Sequence, residues 1–313
     1  MSVVKRINGV AITLIFLLLS ACSVQEQPQR QGKKIQVITT LFPLYDMARA
    51  LGGKFCEVIL LLPPGAEAHT YEPRPGDLLR LNKADIFIYT GSAMEPWAAS
   101  ILKSLDNKRL TVINAGAGIS LSKQGRSVDH DDRHDHRTGD PHIWLDFGNA
   151  QTMMTTILSA FIAKDPANAN TYQQNAAVYR ARLEKLDHTY RRGLADCDAR
   201  TIVHGGHYAF GYLAKRYDLR YVAALPATGD GEPNARQMAS MVNLIRAAKV
   251  HAVFYEEMVS PGLADTLARE TQTQLLALNT AHNVTREQLA RGVTFSELMD
   301  QNLENLRKGL RCR

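Results

Sequence analysis

The chain is expected to fold as two similar α/β lobes with mostly parallel sheets, joined by one long rigid helix. Three observations carry this. Short β-branched runs alternate with helical stretches twice over, once before residue 165 and once after residue 196. Between the two blocks, Tyr172, Ala176, Tyr179, Leu183, Leu186, Tyr190 and Leu194 recur at spacings of three and four, a single apolar stripe on one helix. The strand runs are apolar throughout, as in parallel sheets covered on both faces.

The first lobe is assigned to residues 35–164. Residues 35–40 (IQVITT) form a strand run, followed by a helical stretch at 44–51 that Gly52-Gly53 ends. Residues 58–62 make a second strand, stopped by Pro63-Pro64-Gly65, and Asp77 caps a helix running to Leu81. Strands at 86–89 and 111–114 complete the sheet. Asp165-Pro166 opens the connector, 165–196, with Asp in the capping position and Pro in the first turn. A helix of roughly 30 residues is about 45 Å long, enough to run the height of both lobes. The same stripe would serve a coiled-coil seam, but Tyr and Ala without an Ile/Val pattern fit one poorly, so a monomer is expected. The second lobe, 197–313, repeats the scheme with strands at 201–203, 221–223, 252–255 and 275–278, and helices at 208–217, 235–249, 263–272 and 295–310.

Residues 1–21 read as an export signal. Lys5 and Arg6 precede a ten-residue apolar run, too short for the roughly 20 residues a bilayer span needs. The run ends in Leu19-Ser20-Ala21-Cys22, which resembles a bacterial lipobox and makes Cys22 the lipidated first residue of the mature chain; the alternative is an ordinary secretory signal. Residues 22–34, polar and Gln-rich, read as a flexible tether. The mature protein is therefore placed outside the cytoplasm, where cysteines pair, and Cys197 with Cys312 is the favoured pair because a chain end commonly packs back on the last domain. Losing Lys5 and Arg6 lowers the formal charge from +6 to +4. The remaining basic residues lack the aromatic interleaving of a nucleic-acid surface.

The most informative segment is 128–146, VDHDDRHDHRTGDPHIWLD, with four histidines and six aspartates in nineteen residues. Neutral imidazole is the commonest metal ligand and carboxylate its usual companion for zinc or manganese. Ligand sites in open α/β sheets form in loops beyond the carboxyl ends of strands. His69, in LLPPGAEAHTYEP, follows the second strand; His142 ends the acidic loop in DPHIWLD; His207, in TIVHGGHYAF, follows the first strand of the second lobe. A lone loop histidine is usually just hydrogen-bonded, but three at strand ends of two lobes indicate a metal site in the interlobe cleft.

Over TTLFPLYDMARALGG, LLPPGAEAHTYEPRPGDLLRL, ADIFIYTGSAMEPW, DPHIWLD, HYAFGYLAKRY and SPGLADTLARET, nearly the whole mature chain resembles the zinc and manganese solute-binding lipoproteins of bacterial ABC importers, cluster A-I. The resemblance implies two lobes bridged by a backbone helix, a metal held by His69, His142 and His207, and delivery to a membrane permease from a lipid anchor. Histidine rather than glutamate at position 207 implies zinc, with a manganese- or iron-delivering homologue as the alternative. The chain departs from the family pattern at the fourth ligand, where LNTAHN puts Asn279 in place of an expected aspartate. His282 is the favoured replacement; water, Glu256 and His204 are the others, and His204-Gly-Gly-His207 is itself a possible clamp. Glu72, Asp140, Asp146 and Glu256 are candidates to orient the rings, with Asp146 the most structural of them. His130, His134 and His136, in a stretch without strand, helix or cap signals, are assigned to a mobile, weaker zinc-collecting loop; a merely solvated loop is the alternative.

Two rivals remain. A zinc hydrolase keeps an open coordination position and adds a general base, but the chain has no HExxH and no evident nucleophile motif. A surface adhesin with a structural ion is the other.

Overall fold

A computed structural model describes residues 34–122, 139–227, 233–258 and 260–313. Cys22, the export signal, nearly all of the tether and the loop histidines His130, His134 and His136 lie outside the described residues. The first sheet orders as β2-β1-β3-β4, with β1 Ile35–Thr39, β2 Cys56–Leu60, β3 Ile86–Tyr89 and β4 Thr111–Asn114. The second orders as β6-β5-β7-β8, with β5 Thr201–His207, β6 Arg220–Leu225, β7 Ala252–Glu256 and β8 Gln274–Leu278. Every pairing is parallel and the strand order is the same in both lobes. In each, the chain steps from the first strand to one side and returns to the other. Such a reversal point opens a crevice at the strands' carboxyl ends.

Ten helices are found among the described residues: α1 Phe42–Gly52, α2 Pro75–Leu81, α3 Ala98–Lys103, α4 Phe147–Lys164, α5 Ala169–Gly193, α6 Gly211–Arg216, α7 Ala235–Ala247, α8 Gly262–Thr271, α9 Arg286–Arg291 and α10 Phe295–Leu310. The connector is shorter than its sequence range: Pro166–Asn168 makes one 3-10 turn, and α5 itself has 25 residues, about 37 Å. Its buried face carries Tyr172, Ala176, Tyr179, Leu183, Leu186 and Tyr190. Tyr172 packs on Phe55 and Phe161 of the first lobe, while Tyr190 stacks on Tyr217 and bonds the Met299 carbonyl of the second. One apolar core accordingly runs through both lobes.

Three helices have no counterpart in the sequence reading: α3, α9 and the eighteen-residue α4. Asp146 caps α4 by accepting from the Gly148 and Asn149 amides, which explains why it does not orient a histidine. The outer face of α4 is rich in Thr and Ser that bond back to carbonyls four residues earlier. Such residues favour caps and turns over helix interiors, so they mask a helical pattern. Asp77 also differs in detail. It is the third residue of α2, bonding back to the Arg74 amide, not the cap itself.

The lobes are tied directly as well as through α5. Phe42 N donates to His282 O at 3.1 Å, Trp144 Nε1 to Thr280 O at 2.8 Å, and Asn283 Nδ2 to Pro63 O and Ala66 O at 2.7 and 2.9 Å. Asp46, buried in α1, accepts from the Tyr179 hydroxyl at 3.0 Å and from Phe295 N, the first amide of α10, at 3.2 Å. The sulfurs of Cys197 and Cys312 are bonded, fastening the chain end beside the end of α5, and Cys56 is a buried free thiol.

Candidate metal centre

Three loops and one strand end supply the imidazoles. His69 lies between β2 and α2, His142 between β4 and the 3-10 turn Ile143–Leu145, and His282 after β8. His207 is not in a loop but is the last residue of β5, which continues past its sequence-read end through His204-Gly205-Gly206 with a register break between His204 and His207. The glycines permit that bulge. A Cβ on Gly205 would lie 2.5 Å from the Ala264 Cβ of α8, and one on Gly206 would lie 2.8 Å from the His204 ring.

Donor atoms of His69, His142 and His207 all fall within 4.8 Å of one another. Nε2 of His142 faces Nε2 of His207 at 3.2 Å. Zn–N bonds of 2.0–2.1 Å arranged tetrahedrally place ligand nitrogens about 3.3 Å apart, so the pair already has the spacing of two ligands on one ion. Their Nδ1 atoms are taken: His142 Nδ1 lies 2.9 Å from Asp140 Oδ1, and His207 Nδ1 lies 2.7 Å from Glu256 Oε2. Rings that give their Nδ1 protons to carboxylates present Nε2 lone pairs. Two lone pairs at 3.2 Å repel unless a cation or a proton lies between them. His69 Nε2 adds a third such atom, buried and without a hydrogen-bond partner.

His282 stands next to this trio, its ring centroid 6.2 Å from that of His207. Its Nδ1 lies 2.6 Å from the Thr280 hydroxyl, and its Nε2 lies 4.0 Å from Glu67 Oε2. Glu67, its side chain 41% exposed, also accepts from His69 N at 3.1 Å. Donor atoms of His207, Glu256 and His282 form a second group within 4.8 Å. Both Glu256 oxygens are engaged, however, one by His207 and the other by the Thr280 hydroxyl at 3.2 Å. Glu256 therefore backs the imidazoles from behind.

Burial sets the protonation pattern. It holds His142 well below the ordinary imidazole value, reinforced by the surrounding His207, His69 and His282, and lowers His69 to about 4. His282 is lowered by burial against the opposing pull of Glu256 and Glu67. His207 is the exception: burial opposes its charge, but contact with the Glu256 carboxylate outweighs this and raises it. Glu256 is correspondingly held far below the usual carboxylate range, its ion pair with His207 overcoming burial. Burial pushes Asp140 up to about 7. A proton held on His207 Nε2 would fill the gap to His142, the position a cation would take.

Other sequence candidates lie outside the cluster. His204 is buried and lowered to about 4 by burial; its Nδ1 faces the His207 carbonyl at 3.2 Å and its Nε2 has no hydrogen-bond partner. Asn279 spends its amide on Glu257 and on Ala281 N. Glu72 is exposed, and Asp146 pairs with Arg216 at 2.9 Å. Glu67 and Thr280 were not singled out from sequence. The available signals were an acid two residues before His69 and a hydroxyl two residues before His282.

Two parallel-sheet lobes with convergent imidazoles at their seam define a cleft protein that captures a divalent ion. The chain belongs to the family described as zinc-uptake complex component A, periplasmic (ZnuA), whose pattern matches residues 37–309. It is 33% identical to the high-affinity zinc uptake system protein ZnuA of Bacillus subtilis, over 98% of each chain. It is 32% identical to the zinc-binding lipoprotein AdcA of Streptococcus pneumoniae, with 97% of this chain matching 61% of that longer protein. The crystal structure of the Zn(II)-bound ZnuA-like domain of AdcA superposes with a TM-score of 0.75 at 30% identity, covering 89% of this chain and 99% of that one.

Proposed function

We propose that this protein is an extracytoplasmic zinc-binding component of an ABC importer: it captures the ion between its lobes and delivers it to a membrane permease, without chemical turnover. The carrying observation is the trio of buried Nε2 atoms, two of them 3.2 Å apart with their Nδ1 atoms held by carboxylates. His69, His142 and His207 bind the ion and His282 closes a nitrogen shell. Imidazole suits zinc, whereas manganese prefers carboxylate, carbonyl and water, which argues against the manganese alternative. A hydrolase needs an open position and a free general base; His282 fills the first and Glu256, with both oxygens engaged, does not supply the second.

The neutral shell leaves the ion's charge to be balanced from behind. Asp140 and Glu256, each against a ligand ring, supply two negative charges once Asp140 is ionised, which a divalent ion favours. On this reading Cys22 carries the lipid and residues 22–34 the tether, while His130, His134 and His136 collect zinc weakly ahead of the cleft. Titration of the purified protein should show one tight zinc site per chain and no ester or peptide hydrolysis. Turnover of such substrates, or no tight site, would refute the proposal.

A further inference from the structure

We infer that Thr280 is a positioning residue that passes the orienting effect of Glu256 to His282, so that one buried carboxylate sets two ligand rings. This rests on the reading of His282 as the fourth ligand. Glu256 Oε2 faces His207 Nδ1 directly at 2.7 Å. Its other oxygen lies 3.7 Å from His282 Nδ1, too far for a hydrogen bond, and accepts instead from the Thr280 hydroxyl at 3.2 Å. A hydroxyl that donates its only proton to Glu256 meets His282 Nδ1, 2.6 Å away, with a lone pair. The proton on that imidazole is thereby assigned to Nδ1. Nε2 keeps its lone pair and becomes the coordinating atom.

The backbone holds this arrangement. Ala281 sits at φ +56°, in the left-handed region. Asn279 Oδ1 accepts from Ala281 N at 2.7 Å, and Asn302 brackets Asn279 through both its amide and its carbonyl. The Thr280 carbonyl is fixed across the lobe seam by Trp144 Nε1 at 2.8 Å. Thr280 and His282 therefore present their side chains to each other at a fixed place, and a hydroxyl is the one group there that can both donate to a carboxylate and accept from a ring N–H.

The test compares Thr280→Val, which keeps the shape and removes the hydroxyl, with Thr280→Ser, which restores it. The full mature chain, labelled with 15N-histidine, reports the His282 tautomer without metal, the signal being assigned by its loss in His282→Ala. Zinc affinity is measured in parallel by chelator competition. Expected are an Nδ1–H tautomer in the wild type, its loss in Thr280→Val with zinc binding weakened about 10- to 100-fold, and recovery of both in Thr280→Ser. An unchanged tautomer in Thr280→Val overturns the relay, even if the melting temperature falls. A changed tautomer with unchanged zinc affinity overturns its role in binding, whereas unchanged affinity in His282→Ala shows separately that His282 is no ligand. An Nε2–H tautomer in the wild type overturns the assignment whatever the zinc affinity.

Discussion

Acidification should weaken zinc binding in a way the site's own proton holders determine. In the metal-free centre two groups hold their protons more tightly than usual, and zinc must compete with them: His207, raised by Glu256, and Asp140, pushed to about 7 by burial. The sign follows from metal binding favouring the deprotonated ligand and the ionised carboxylate behind it. Affinity is thus fullest where both groups are deprotonated and is lost as pH falls through their titration. His207, held above the ordinary imidazole value by the Glu256 carboxylate, loses its zinc-competent form as pH falls through this range. Asp140, at about 7, weakens binding about tenfold between pH 8 and pH 6. Asp140 alone thus sets a floor of about tenfold, about 1.4 kcal/mol, which His207 deepens. His69 and His142, held low by burial, add little until more acidic conditions. The assay is competition with a chelator calibrated at each pH, at constant ionic strength. An affinity constant within twofold from pH 8 to pH 6 would refute the reasoning, because no proton would then be competing at the cleft.

Glu256→Gln, which removes the charge behind His207 and His282, should weaken zinc binding about 10- to 100-fold in the same assay with the fold retained. Asp46→Ala leaves the Tyr179 hydroxyl and the Phe295 amide without their buried acceptor, costing about 2–4 kcal/mol in denaturant unfolding; Asp46→Asn, which keeps an acceptor, should cost less. Reducing the Cys197–Cys312 bond opens a crosslink between residues 115 apart and should lower stability by up to about 5 kcal/mol, read as a shift in the unfolding midpoint. Deleting residues 129–136 should leave the tight zinc site unchanged by titration, with only weaker binding lost.

Much of this was legible because several elements carry period signals strong enough to stand alone. Strands β3 and β4, helix α10 and the buried face of α5 follow from runs of β-branched residues, from Phe295 through Leu310, and from the tyrosine stripe. The succession of strands could be placed, and with it the loops that bring His69, His142 and His282 to one seam, although β2 ends at Leu60 and β5 runs on to His207. The extension of β5 was not legible, because His204-Gly205-Gly206 carries no β-branched run; the glycines are required by the approach of Ala264 and the His204 ring. Helix α4 was hidden by its hydroxyl-rich outer face. The parts played by Glu67, Thr280 and Glu256 depend on contacts between segments far apart in the chain. Periodicity does not encode these, and residue type alone gave Glu256 two possible places, on the metal or behind its ligands.

The central claim is that one zinc ion is held by four imidazole nitrogens from both lobes. A crystal structure of the zinc-loaded protein, with anomalous scattering recorded at the zinc edge, tests it most directly. One peak is expected in the cleft, 2.0–2.1 Å from Nε2 of His69, His142, His207 and His282. A peak bonded to Glu256 or His204, or a shell in which water or Glu67 takes the place of His282, would contradict it.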